Sequence, residues 1–214
     1  MQITKGLLVE KIIEVTVKEN NEPLVEVFET EKIKLLREHK FLSPFLRKTV
    51  SNMLIEASNN LPLGHTLLIV TCYRSVEMQK EMYRNRKKQL AKKHPFKMVF
   101  QYPLWIKMVN RYTSPPGGSP HHTGGAVDLT VIDPDGNHLD MGTNLTAFGV
   151  RVHMENDLIT PEQRENRKIL RDAMIKVGFI YYPLEWWHYC YGDRMWAAYT
   201  EQRESFYGNV KRII

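Results

Sequence analysis

Ala126-Val127-Asp128-Leu129-Thr130-Val131-Ile132 alternates in polarity and ends in Asp133-Pro134-Asp135-Gly136-Asn137, a strong turn signal, so it reads as a strand leading into a tight turn. Immediately upstream, Ser114-Pro115-Pro116-Gly117-Gly118-Ser119-Pro120 can be neither helix nor central strand and reads as a loop. Before it, helical patterning covers part of Phe96 to Tyr112, interrupted at Pro103, and Ser75 caps a long polar helix that reaches about His94 and stops at Pro95. Leu67-Leu68-Ile69-Val70, within His65 to Tyr73, fits a buried strand. Downstream, Thr160-Pro161-Glu162-Gln163 combines a cap, a first-position proline and a capping-box glutamine. The helix it opens runs to about Val177, Gly178 ends it, and Phe179–Tyr182 and Glu185–Tyr191 read as two short closing strands.

The first sixty residues predict a hairpin, Ile12–Val17 and Leu24–Phe28 around Asn20-Asn21-Glu22-Pro23, then helix from about Glu31. Ser43-Pro44 reads as the cap and first position of a second helix, which ends at Asn59-Asn60-Leu61-Pro62. The fold class this assembles is α+β, a mostly antiparallel central sheet flanked by helices, with the chemistry at the sheet. Residues 1–214 are expected to form one domain, with 1–62 as an N-terminal hairpin and helices and 63–214 as the catalytic core.

Hydrophobic residues at 43% and charged residues at 25% are ordinary for a soluble globular chain. Charges interrupt the first ten residues before an apolar run can build, and no stretch approaches a membrane span, so the expected location is the cytoplasm. Cys72 and Cys190 are too few for a disulfide framework and read as small buried residues. The net charge of +6 gathers in a run from Arg84 to Lys97 that holds seven Lys or Arg and no acid. No nucleic-acid motif accompanies it, so it reads as a solvated helix face; the partner expected is a small peptide, with neither nucleic acid nor membrane.

Three pieces carry chemistry: Ser119-Pro120-His121-His122-Thr123-Gly124-Gly125-Ala126-Val127-Asp128, Glu185-Trp186-Trp187-His188, and Tyr73-Arg74-Ser75. A catalytic zinc needs three protein ligands and an open position, and two histidines with one carboxylate is a known set. His121, Asp128 and His188 supply it if the loop and two strands converge, leaving Glu185 to take a proton from water. Gly124, Gly125 and Ala126 let the chain turn tightly between ligands. Each residue has a plainer reading: a lone histidine is usually structural, His122 competes with His121, a tryptophan pair is usually core, and Arg74 could be a surface ion-pair partner. Asp128 in an apolar strand is costly to bury unpaired, and a carboxylate against indole rings is expected to have a raised pKa. Histidine and carboxylate donors also admit divalent ions other than zinc.

Together, S-x-H-x-x-G-x-A-x-D followed distantly by E-x-W-H resembles the zinc D-alanyl-D-alanine peptidases of the M15 type. Glu185-Trp186-Trp187-His188-Tyr189 and Asp140-Met141-Gly142-Thr143 look most like the D-Ala-D-Ala dipeptidases linked to vancomycin resistance, over about Val70 to Tyr191. The resemblance implies zinc on His121, Asp128 and His188, Glu185 as base, and Arg74 steadying the oxyanion. It also implies that Ser119 helps hold the substrate, and Thr146 and Trp187 are expected to bind it as well. Where that family carries an aspartate implied to bind the substrate's ammonium, this sequence has Thr146, so Asp140, Glu155 or another acid takes over or the substrate lacks a free amine there. The competing readings are a carboxypeptidase or amidase on longer peptidoglycan-like peptides, and a binding domain that keeps the metal cradle without turnover.

Overall fold

The computed structural model describes residues 9–39, 42–145 and 147–210. In chain order the elements are α1 (Val9–Glu14), β1 (Thr16–Val17), β2 (Leu24–Glu26), β3 (Ile33–Leu35), β4 (Phe45–Arg47), α2 (Lys48–Asn59), β5 (Thr66–Thr71), α3 (Val76–Lys93), α4 (Pro95–Phe100) and α5 (Tyr102–Tyr112). A 3-10 turn at Pro120–Thr123 leads into β6 (Ala126–Ile132), and a second at Val150–Val152 precedes α6 (Pro161–Lys176). β7 (Ile180–Tyr181), β8 (His188–Cys190), α7 (Arg194–Tyr199) and β9 (Glu204–Ser205) complete the order.

The central sheet has five strands in the order β3-β5-β6-β8-β7, parallel at β3–β5 and antiparallel at the other three pairings. Alternation along β6 decides what each face does. Val127, Leu129 and Val131 enter the main core, which also holds Val50, Leu54 and Ala57 of α2 and Leu170, Ala173 and Met174 of α6. Asp128 and Thr130 therefore face the opposite side of the middle strand. The register sets Asp128 beside His188 on β8 and beside Thr71 on β5, with an irregularity between Ile69 and Thr71. Such bulges re-aim side chains next to functional sites.

The local signals around this sheet act as the sequence predicts. The Ser75 hydroxyl accepts from Met78 N–H at the start of α3, and both halves of the Thr160–Gln163 capping box form at the start of α6. Gly178, at φ +104°, ends the turn after α6.

The N-terminal expectations need correction. Leu24–Glu26 does form a strand but pairs with β4, and β1 pairs in parallel with β9, so there is no local hairpin; Ile12 and Ile13 belong to α1. Distant strands outcompete the short turn between them. The helix expected from about Glu31 is instead an edge strand: Ile33 and Leu35 are buried and Lys34 exposed, a period of two that supplies the parallel partner of β5. Ser43-Pro44 does not cap a helix, because Phe45–Arg47 pairs with β2 and α2 starts only at Lys48.

Arg47 explains that shift. Its buried guanidinium donates to the carbonyls of Thr123 (2.7 Å), Gly208 (3.2 Å) and Glu22, pairs with Glu19 at 3.0 Å and lies over the Tyr207 ring. One side chain thus ties together the N-terminal segment, the loop that bears His121 and the segment after β9.

That loop turns through two glycines. Gly124 is left-handed at φ +71°, and a Cβ at Gly125 would lie 2.5 Å from the Tyr191 carbonyl oxygen. The Gly125 carbonyl in turn accepts from Tyr191 N–H at 2.9 Å, so the close approach belongs to the sheet itself. Gly125→Ala should destabilise the fold by about 1–3 kcal/mol, the usual cost of overpacking. The check is the urea midpoint at unchanged slope; an unshifted midpoint would show that the strands part freely here.

Candidate active site

His121 sits on the 3-10 turn before β6, Asp128 in the middle of β6 and His188 at the start of β8. Their donor atoms all lie within 4.8 Å of one another. His121 Nε2 is 3.2 Å from Asp128 Oδ2, and His188 Nδ1 is 2.8 Å from Asp128 Oδ1. His121 Nδ1 is 2.8 Å from the Cys72 carbonyl oxygen, which can only accept; that nitrogen therefore carries the proton and Nε2 presents its lone pair to the site. His122 is held differently. Its Nδ1 donates to the Arg74 carbonyl at 2.6 Å and its Nε2 accepts from Gly117 N–H at 3.2 Å, which occupies both nitrogens in pinning the loop.

The electrostatics follow from one charge in a dry place. Burial opposes ionisation of Asp128, but the charges and hydrogen bonds of His121 and His188 hold its carboxyl well below the usual range. Burial, reinforced by Arg74, lowers the His121 pKa against the opposing pull of Asp128. For His188, burial also disfavours the charged form, yet Asp128, Glu185 and Asp193 together raise its pKa. Among the described residues His188 Nε2 and Asp193 Oδ2 are buried with no hydrogen-bond partner at bonding distance and angle, while Asp193 Oδ1 caps α7 at Trp196 N–H, 2.7 Å away.

Glu185 lies in the turn before β8, where its carbonyl accepts from His188 N–H at 3.2 Å. Burial, helped by the charge of Asp128, pushes its pKa up to about 7 against the opposing pull of His188 and Arg74. Arg74 feels both Asp128 and Glu185. Its Nη1 donates to Gln79 Oε1 at 3.0 Å, and Gln79 is anchored by donating to the Ser114 carbonyl at 2.6 Å. Arg74 Nε is buried and unpartnered among the described residues.

A cavity of about 740 Å³ opens on the same face of the sheet, lined by His39, Val70, Thr130, Asp140, Thr143 and Trp186 among others. Of the two tryptophans, Trp186 reaches this cavity, with its indole N–H on Thr143 Oγ1 at 2.9 Å. Trp187 packs edge-to-face on Trp186 within the core. Ser119 is buried just before the 3-10 turn, its carbonyl accepting from His122 N–H, and does not line the cavity. Thr146 lies outside the described residues. Glu155 is engaged by Arg171 at 2.7 Å, whereas Asp140 is the acid that lines the cavity. Sequence reasoning missed Thr130, Gln79 and His39. Thr130 was two residues from Asp128 on an alternating strand and Gln79 one turn beyond Ser75, so periodicity could have found both; His39 arrives through an unforeseen strand and had no local signal.

Residues 42–207 match the peptidase M15 model described as D-ala-D-ala dipeptidase. The chain belongs to this family. Among curated members, it is 32% identical over 127 residues to the D-alanyl-D-alanine dipeptidase of Synechocystis sp., covering 51% of this chain and 50% of that one. It is 39% identical over 72 residues to the D-alanyl-D-alanine dipeptidase of Escherichia coli K12, covering 34% and 37%. The chain thus matches about half the length of the first of these family members and little more than a third of the second. A solved vancomycin-resistance D,D-pentapeptidase, VanY, in complex with Zn(II) aligns over 91% of this chain and 96% of its own at 16% identity and a TM-score of 0.48.

Protonation of Glu185 can be read from stability in chelator-treated protein. Its folded pKa of about 7 exceeds the ordinary 4.5, so its stabilising contribution is full below 4.5 and is lost as pH rises through about 7. Glu185→Gln should therefore be more stable than wild type by about 2–3 kcal/mol near pH 8, and the gap should close near pH 4. Urea unfolding at both pH values measures this; a gap independent of pH would contradict a raised pKa.

Proposed function

We propose that this protein is a zinc-dependent peptidase that hydrolyses the peptide bond of a small dipeptide such as D-Ala-D-Ala. In this reading His121, Asp128 and His188 hold the metal and Glu185 is the general base. The observation that carries it is the convergence of those three donors within 4.8 Å, with Glu185 and Arg74 in electrostatic reach of Asp128. Two imidazoles and a carboxylate suit zinc, and the Cys72 carbonyl already fixes the tautomer that a ligand needs at His121. Zinc in such a site supplies Lewis acidity, lowering the pKa of water and drawing charge onto a carbonyl oxygen.

The chain's own residues do the rest. Glu185, with a pKa near neutrality, takes the proton from the attacking water and can return it to the leaving amine. Arg74, aimed by Gln79, steadies the negative charge that grows on the scissile carbonyl. Asp140 supplies a carboxylate at the cavity for a substrate ammonium; hydrogen bonds from Gln163 and Gly142 N–H keep it ionised. The D-Ala-D-Ala assignment draws on the activity for which the Synechocystis and Escherichia coli relatives are named. The second reading, a carboxypeptidase on longer peptides, would use the cavity of about 740 Å³ on the same sheet face, which extends beyond the three donors and is lined by none of them.

Metal analysis of protein purified without chelators should give one zinc per chain, and His188→Ala should lose most of it. Glu185→Gln should keep the metal and lose turnover by about a hundredfold or more; near-normal turnover would remove Glu185 from the chemistry. Arg74→Lys should lower kcat far more than metal content, since the charge remains but the planar fork does not. The substrate reading rests on kcat/KM for free D-Ala-D-Ala, N-acetyl-D-Ala-D-Ala and longer peptides with the same C-terminus. A preference for the free dipeptide that Asp140→Asn abolishes supports the dipeptidase; a preference for the longer peptides selects the carboxypeptidase.

A further inference from the structure

Helices α3, α4 and α5 leave the sheet between Arg74 and the loop that carries His121, and they have a small core of their own in Leu90, Trp105 and Val109. α4 buries none of its side chains. Phe96 and Phe100, one turn apart with ring centroids 4.6 Å from each other, are 66% and 71% exposed, and Val99 on the same face is 62% exposed. Tyr102 and Leu104, in the first turn of α5, extend this apolar edge. Phenylalanines exposed in a row contribute nothing to the satellite core beneath them, which Met98, Ile106 and Met108 already cover.

The charges around this edge are of one sign. Arg84, Lys88, Lys92, Lys93, Lys97 and Lys107 are exposed, and none makes a salt bridge among the described residues. Lys97 lies within α4 between Phe96 and Val99, and Lys92 and Lys93 form the turn before it. The seven basic residues from Arg84 to Lys97 exceed the whole chain's net charge of +6, so the rest of the molecule is slightly acidic. Apolar rings flanked by lysines match an interface that is anionic at its surface and apolar just beneath it. A second copy of this face would bring two like-charged surfaces together. A nucleic-acid backbone would satisfy the lysines but leave α4's phenylalanines without a role.

We infer that the α4 edge with the start of α5 docks this protein onto an anionic lipid surface, Phe96, Val99 and Phe100 entering the headgroup layer and the lysines binding lipid phosphates. Among the described residues no helix is long and apolar enough to cross a membrane, so the contact is peripheral. It departs from the expectation of no membrane partner, which treated the basic run as a merely solvated face.

The test is co-sedimentation of the full chain with vesicles of phosphatidylcholine alone and of an equal mixture with phosphatidylglycerol. The protein should partition onto the mixed vesicles, less so as salt rises, and not onto neutral ones. Phe96→Ser/Phe100→Ser and Lys92→Glu/Lys93→Glu should each weaken partition by about tenfold or more at an unchanged unfolding midpoint. As a second measurement, Phe100→Cys carrying an environment-sensitive fluorophore should shift to the blue only on anionic vesicles; both native cysteines are buried and leave the label specific. The inference is overturned by failure to bind anionic vesicles, by binding that ignores the phenylalanine changes, or by the absence of a spectral shift. Self-association that Phe100→Ser abolishes, or tighter binding to a DNA duplex than to vesicles, overturns it as well.

Discussion

One largely enclosed negative charge organises this molecule. Asp128 is in the middle strand of the central sheet, where burial alone would drive it to the neutral acid, and it stays ionised because His121 and His188 are brought to its two oxygens. That arrangement demands a specific register: one residue of slip between β6 and β8 would send Asp128 into the helix-covered core and His188 away from it. The pairing of Ala126, Val127 and Asp128 with Cys190, Tyr189 and His188 is therefore at once the sheet's hydrogen-bond ladder and the geometry of the site. Burial and this same charge raise the pKa of Glu185, and hydrogen bonding to it raises that of His188 against the effect of burial.

Rigid supports reach this centre from three directions. The Cys72 carbonyl at the end of β5 sets the His121 tautomer, and Gln79 in the first turn of α3 aims Arg74. Arg47 holds the carbonyl of Thr123, two residues from His121, from the opposite side. None of these supports has a part of its own in the proposed reaction; each fixes a side chain or loop on which that reaction depends. Precision in such sites depends on supporting contacts of this kind.

How much of this could be read in the sequence depended on the range of the interactions. The core strands, the Ser75 and Thr160 caps and the Asp133–Asn137 turn were legible because alternation, capping and turn chemistry act within a few residues. The grouping of His121, Asp128 and His188 was legible because residue types at characteristic spacing carried it. The N-terminal third was not. β1 and β2 choose partners far along the chain, Ile33-Lys34-Leu35 is too short for three residues to announce a strand, and Arg47 gives no local hint that four backbone and side-chain acceptors await it. The tryptophans show the same limit: Trp186 and Trp187 are adjacent, and only the three-dimensional turn before β8 decides which faces the cavity.

The segment after β9 reaches back across the whole molecule. Val210 N–H donates to the His122 carbonyl at 2.8 Å, Gly208 meets Arg47 and Glu19, and the Tyr207 hydroxyl donates to Glu22. A chain emerging from the ribosome folds its earlier parts first. Here the last fastenings of the loop bearing His121 wait until residues 207 to 210 have been made. Contacts between residues so far apart in sequence form slowly, so this clasp closes late. The C-terminal clasp is thus a late lock on a loop that the earlier chain has already positioned.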